Sequence, residues 1–202
     1  MNWENYDKEF YIKPNDIIKQ ENKCLESIIV NANIKNKRLL DIGCGSGHWI
    51  SHALKENAHA VGVDLSFDGL KKCFALHLSD CVFVLSRGEV LPFSDSQFDV
   101  IMTNWILQEF YEHDKFIKLI DEIRRILKVN GKFIVAENIY PDKRILHEST
   151  DIGDIFENQN DHSLLRFFPN NTLLEVIDKF GFRRTIYRQV GDSFLEVYEY
   201  KS

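Results

Sequence analysis

The chain has 202 residues, 44% of them apolar, which is enough for one sizeable core and short for two. A formal charge of -6 and a pI near 5.7 give no general attraction to phosphate backbones, so a nucleic-acid partner is disfavoured. The acidic start Met1-Asn2-Trp3-Glu4 lacks the basic end and apolar core of a secretion signal, and no apolar run approaches the roughly 18 residues of a membrane span, so a soluble, cytoplasmic protein is expected.

Pro14, with Asn15 and Asp16 as caps, precedes Ile17, Ile18, Leu25, Ile28 and Ile29 at roughly helical spacing, which predicts a leading helix over 16–31. Strands are predicted near 38–42, 59–63, 81–85, 98–103 and 132–137, with helices near 48–56, 67–78 and 114–128 between them. Such alternation builds a parallel sheet with helices on both faces. In the helix at 114–128, Phe116, Ile120, Ile123 and Leu127 share one face, Lys118, Asp121, Glu122 and Arg125 fill the other, and Asn130-Gly131 supplies the stop. From Ile139 to Phe168 no single period fits, and the segment reads as an irregular insertion carrying Arg144, His147, Asp151, Asp154, His162 and Arg166. Their spacings match no metal-ligand set. A helix near 171–180 ends at Gly181, and strands near 183–190 and 193–200 meet at Gly191-Asp192, a two-residue hairpin turn. Cys24, Cys44, Cys73 and Cys81 form no Cys-x-x-Cys pair, and reduced thiols are expected.

Chemistry is concentrated at Leu40-Asp41-Ile42-Gly43-Cys44-Gly45-Ser46-Gly47, between the first strand and its helix. Ligands of such sheets bind beyond the carboxyl ends of the strands, and glycine lets backbone approach them closely. Dinucleotide sites place the third glycine five residues after the first; that position is His48, and the third glycine falls at Gly47. Asp64 ends the second strand 21 residues after Gly43, a distance at which an acid accepts both ribose hydroxyls of a nucleoside. Exposed amides where His48 and Trp49 start the next helix favour an anionic group.

This spacing resembles the signature of the class I S-adenosylmethionine-dependent methyltransferases. Gly88-Glu89-Val90-Leu91-Pro92-Phe93 with Gln97-Phe98-Asp99-Val100-Ile101, Leu127 to Phe133, and Phe180-Gly181-Phe182 are similar to the family's runs into strands four, five and six. Within it the pattern is most similar to the small-molecule methyltransferases of quinone biosynthesis. The resemblance implies a single methyltransferase domain over 1–202 with an α/β, Rossmann-like fold: a seven-stranded, mostly parallel sheet, helices on both faces and a C-terminal antiparallel hairpin. Residues 1–37 would form a lid and leading helix, and 139–168 a substrate-side insertion. It implies S-adenosyl-L-methionine as cofactor, held by Asp41, Gly43, Cys44, Gly45, Gly47, Asp64, Leu65, Gly88, Glu89 and Asn104. Tyr11, or Tyr6, of the aromatic cluster Trp3, Tyr6, Phe10 and Tyr11 would serve as lid, since aromatic faces attract a sulfonium as they do ammonium.

Methyl transfer needs alignment of acceptor and methyl carbon, not a metal. Just past strand four, Trp105 and Glu109 are the substrate-binding candidates, with Glu109 as base or as contact to a cationic acceptor. Asn104 is not followed by the Pro-Pro-aromatic run of enzymes that methylate amino groups of bases, so a small-molecule acceptor is expected. Two departures stand out. Relatives carry an acid where this chain has Arg87, leaving adenine to the backbone of Gly88 and Glu89 or to a neighbour, and the histidines that often follow strand four are missing. They leave open a nonenzymatic S-adenosylmethionine-binding or regulatory protein; the glycine spacing and terminal hairpin disfavour a third reading, a nicotinamide-dependent oxidoreductase.

Overall fold

The computed structural model describes residues 15–75, 81–138, 144–158, 162–169, 171–191 and 193–201. Near-continuous apolar runs make the central strands: Leu39, Leu40 and Ile42 in β1 (Arg38–Ile42), and Val100, Ile101 and Met102 in β4 (Phe98–Asn104), are all buried. A parallel strand covered on both faces requires this. Between them come α2 (His48–Lys55), β2 (His59–Asp64), α3 (Phe67–Ala75) and β3 (Val82–Leu85), with α1 (Asn15–Asn31) ahead of β1. After β4 follow a 3-10 turn (Leu107–Glu109), α4 (His113–Ile126) and β5 (Leu127–Asn138).

The sheet order is β3-β2-β1-β4-β5-β10-β9, where β9 (Phe182–Val190) and β10 (Ser193–Tyr200) form the antiparallel hairpin expected at the C-terminus. Val190 pairs with Ser193 across the predicted two-residue turn. β1 pairs in parallel with both β2 and β4, and the winding direction reverses there. Such a switch point opens a crevice beyond the carboxyl ends of the strands.

One face of the sheet carries α1, α2 and α3, through Leu25, Ile29, Ile50, Ala53 and Leu70. The other carries α4 and α5 (Thr172–Asp178), through Phe116, Ile120, Ile123, Leu173 and Ile177. α4 alone buries Phe116, Leu119, Ile120, Ile123 and Ile126, each worth about 1.5–3 kcal/mol. Packing, more than propensity, holds this helix.

Two expectations are corrected. α4 ends at Ile126, and Leu127, buried with φ -81 and ψ 136, starts β5 directly. Asn130-Gly131 therefore lies inside β5: Asn130 takes φ +62, and pairing with β4 jumps from Phe98–Leu127 to Val100–Lys132. The second correction concerns the insertion. Three strands, β6 (Arg144–Thr150), β7 (Gly153–Asn158) and β8 (Leu164–Phe167), form a separate antiparallel sheet. No period marks it because its buried residues Ile152, Ile155, Leu165 and Phe167 are divided among short segments, Leu146 is exposed, and the β6–β7 register shifts between Leu146 and Glu148. The described parts of the predicted helices at 67–78 and 171–180 start or stop within a few residues of the prediction, the usual uncertainty of helix ends.

Candidate functional site

Beyond β1, β2, β3 and β4 lies a cavity of about 890 Å³. Gly43 and Gly45 in its wall, and Gly47, the N-cap of α2 behind the lining, all take left-handed φ, +76, +51 and +81, a region that L side chains rarely occupy. Val63 O accepts the amides of Gly43 and Cys44 at 2.8 and 3.0 Å, so β2 holds the loop. A Cβ on Gly43 would stand 2.8 Å from Ile106 Cγ1, whereas one on Gly45 would meet nothing within 4 Å. The loop is thus pressed against the segment after β4 on one side and open to the cavity at Gly45.

Asp64 is fixed from both sides. Its Oδ2 accepts the Gly45 amide and its Oδ1 the Ser66 amide, each at 2.7 Å. A carboxylate has about four lone-pair positions, so two amides leave room for two neighbouring hydroxyls. Leu65, half exposed, sits beside it on the rim, and Gly88 and Glu89 line the wall beyond β3. A Cβ on Gly88 would stand 2.9 Å from Leu119 Cδ1, so this backbone passes close over α4. Arg87 is exposed at the same wall.

Two buried polar side chains flank the switch point. Asp41, 1% exposed, and Asn104, 9% exposed, have no hydrogen-bond partner for any side-chain oxygen or nitrogen among the described residues. Leaving such groups unmade costs about 1–3 kcal/mol each. Burial pushes the Asp41 carboxyl well above the usual carboxylate range, and the Asp64 charge adds to the rise. Asn104 lines the cavity, while Asp41 lies behind the wall. An amino-acid group beside a nucleoside fits these needs: an ammonium nearby would draw the Asp41 carboxyl back toward its charged form, and polar atoms would satisfy Asn104. Cys44 lines the cavity through its loop, but its thiol points to the core, where a Cβ on Gly62 would lie 2.8 Å from Sγ. Burial pushes that thiol up, and Cys73, pushed up to about 11 by burial, donates to Gly45 O at 3.3 Å. All four cysteines are free thiols.

The other half of the cavity is the segment after β4. Trp105 takes φ +54, unusual for a bulky residue, with its amide donated to Ala136 O at 2.7 Å. Trp105, Glu109, Phe110 and Tyr111 line the cavity together, which brings both predicted substrate-side residues to the same wall. Tyr11 and Tyr6 lie outside the described residues.

Sequence reasoning missed several participants. Glu21 and Asn22 of α1 line the cavity. Glu137, 1% exposed at the end of β5, accepts the Leu107 amide at 2.7 Å. Burial pushes its carboxyl up to about 8, against the pull of the Leu107, Ile106 and Gln108 amides. An acid ending the apolar run Phe133 to Ala136 was the available signal.

The family described as a methyltransferase domain matches residues 40–135. The chain is 29% identical over 197 residues to an uncharacterized protein of Methanocaldococcus jannaschii, spanning 93% of this chain and 84% of that one. It is 28% identical over 114 residues to a fatty-acid O-methyltransferase of Mycolicibacterium smegmatis, covering 55% of this chain but only 40% of that enzyme. In fold it is similar, with a TM-score of 0.76, to the 1,6-didemethyltoxoflavin-N1-methyltransferase of Burkholderia thailandensis. That structure, 16% identical, contains 1,6-didemethyltoxoflavin and S-adenosylhomocysteine; the likeness covers 99% of this chain and 85% of that one.

Proposed function

We propose that this chain, whose residues 40–135 match the methyltransferase-domain family, is a class I S-adenosylmethionine-dependent methyltransferase that moves a methyl group from S-adenosyl-L-methionine to a small-molecule acceptor. The carrying observation is Asp64, held by two amides at 2.7 Å beside the open face of Gly45. When bound, S-adenosylmethionine supplies an electrophilic methyl carbon whose leaving group is a neutral thioether. Asp64 would accept the ribose hydroxyls, and the backbone of Gly43, Cys44 and Gly45 would form the floor, with Gly47 setting the turn into α2 behind it. Asp41 and Asn104 serve the methionine portion, Asp41 by its field from behind the wall. Leu65, Gly88 and Glu89 border the adenine.

The acceptor enters against Trp105, Phe110 and Tyr111, whose bulk excludes water and aligns it with the methyl carbon. Glu109 would take the proton of a hydroxyl acceptor as its oxygen becomes the nucleophile, and would deprotonate an ammonium acceptor beforehand to free the nitrogen lone pair. A small acceptor is supported by the similar proteins, whose names describe action on a fatty acid and on 1,6-didemethyltoxoflavin.

The test is a panel of fatty acids, phenols and ring-nitrogen heterocycles, followed by release of S-adenosylhomocysteine. Turnover of at least one class is expected in the wild type. Gly45→Arg fills the open face of the loop and is expected to abolish both turnover and S-adenosylhomocysteine binding by calorimetry. Wild-type protein that binds no S-adenosylhomocysteine overturns the proposal, as does binding with no turnover of any panel class.

A further inference from the structure

The segment after β4 is held at its two ends by two buried polar side chains, Glu137 and Arg166. At its start, Glu137 accepts the Leu107 amide, and Ile106 abuts the glycine loop at Gly43. At its finish, Arg166 of β8, fully buried, donates from Nε to Phe110 O at 3.1 Å and from Nη2 to Tyr111 O. Its Nη1 donates to Thr150 Oγ1 of β6 at 2.9 Å, and the guanidinium lies 5.7 Å from the Phe116 ring centroid.

No described carboxylate forms an ion pair with Arg166; Asp151 and Glu148 act on it only from a distance. Burying a guanidinium costs several kcal/mol, and an apolar side chain of similar volume would avoid that cost. What Arg166 gains in return is specific: two carbonyls of cavity-lining residues and one hydroxyl of the small sheet. Glu137 accepts at the amide end of the 3-10 turn and the Arg166 cation donates beyond its carbonyl end, where the backbone dipoles favour it.

We propose that Arg166 is a positioning residue for the methyl acceptor, through which the three-stranded sheet fixes where Glu109, Phe110 and Tyr111 stand. The acceptor's part in this rests on the methyltransferase reading; the clamp itself does not. Because the start of the segment is tied to the glycine loop and its finish to β6 and β8, loosening Arg166 disturbs the acceptor wall and spares the cofactor floor.

The experiment compares wild type, Arg166→Met, Arg166→Lys and Thr150→Val by amide hydrogen exchange, by S-adenosylhomocysteine calorimetry, and by kinetics with the panel compound turned over fastest. Arg166→Met is expected to speed exchange over 109–111 with no change over 43–47. S-adenosylhomocysteine affinity stays within about threefold, under 1 kcal/mol. The acceptor KM rises, and kcat falls by about tenfold to a hundredfold, the usual cost of small misplacement. Arg166→Lys, which keeps one charged donor, recovers part of the loss. If Arg166→Met does not fold, Thr150→Val, which removes one guanidinium partner, carries the same expectations in weaker form. Unchanged exchange over 109–111 overturns the proposal, and so does a loss of S-adenosylhomocysteine affinity parallel to the loss of acceptor turnover. Failure of wild type to bind S-adenosylhomocysteine refutes the methyltransferase reading instead, and leaves the exchange result to judge the clamp.

Discussion

Asp41 meets opposite demands from folding and binding. Its carboxyl is buried without partners and its protonation is favoured well above the usual range. A group raised in the folded state contributes most below its ordinary value of 3.8, and the contribution is lost as pH rises through the folded value. Asp41→Asn is therefore expected to raise Tm of the ligand-free protein by a few degrees at pH 8, with the gap closing toward pH 4. The same change weakens S-adenosylhomocysteine binding if Asp41 serves the ammonium. Equal Tm values at pH 8 would contradict this account. Asp64→Asn disturbs one amide acceptor and removes the charge, and is expected to cost about 1.5–3 kcal/mol of S-adenosylhomocysteine affinity, measured by calorimetry. Glu109→Gln keeps the size of the side chain and removes the base; kcat is expected to fall by about 10² or more with an acceptor that loses a proton. A kcat unchanged by that substitution eliminates Glu109 as base. The sequence could place Asp64, the loop and Glu109 at the cavity because Asp64 ends β2, the loop follows β1 directly and Glu109 lies a few positions past β4. Glu137 and Arg166 were not legible. Their partners lie 30 residues away for Glu137 and 55 or more away in Phe110 and Tyr111, and neither periodicity nor local spacing carries that information.

At the scale of elements, α4 does more than cover the sheet. Arg125 near its end donates to Phe93 O at 2.7 Å, Leu91 O at 3.1 Å and Asp95 Oδ1 at 2.8 Å, and pairs with Glu122. The Glu122 carboxylate in turn accepts the Leu91 amide at 2.8 Å. One turn of helix thereby pins the Leu-Pro-Phe run that leads from the β3 wall into β4. In the small sheet the sensitive position is Gly153, with φ +117 and no room for a Cβ against the Phe167 carbonyl. Gly153→Ala is expected to speed exchange through β6, β7 and β8 while leaving S-adenosylhomocysteine affinity unchanged. Loss of that affinity would show the small sheet to be coupled to the cofactor half. The main strands were readable because a parallel sheet demands unbroken apolar runs. β6 to β8 were unreadable because a small sheet buries one side in pieces, and the end of α4 was misplaced because Leu127 is apolar and serves β5 as well as it would a helix.

For the whole molecule, pH acts from two directions. Glu137, raised to about 8 by burial against its amide partners, contributes stability that is full below 4.5 and is lost as pH rises through about 8. Glu122, held low first by its hydrogen bond to Arg125, contributes stability that is full above 4.5 and is lost as pH falls through its lowered value. Tm of the ligand-free protein is expected to peak near pH 4.5, where the Glu122 contribution is in place and that of Glu137 is not yet lost, and to fall on both sides. Glu137→Gln should flatten the alkaline limb. A Tm that keeps rising to pH 9 would refute the assignment.

β6, β7 and β8 share no ladder with the seven-stranded sheet and leave and rejoin the chain between β5 and α5. Such a segment is a cassette. A related protein's segment grafted between Asn138 and Thr172 would leave the glycine loop untouched, and would need an arginine in register with Arg166 to reach the recipient's backbone and apolar residues in place of Ile152 and Phe168 to fill its core. Transplantation at this seam crosses no strand pairing of the larger sheet, and would act on the cavity through the backbone that Arg166 holds rather than through new lining side chains.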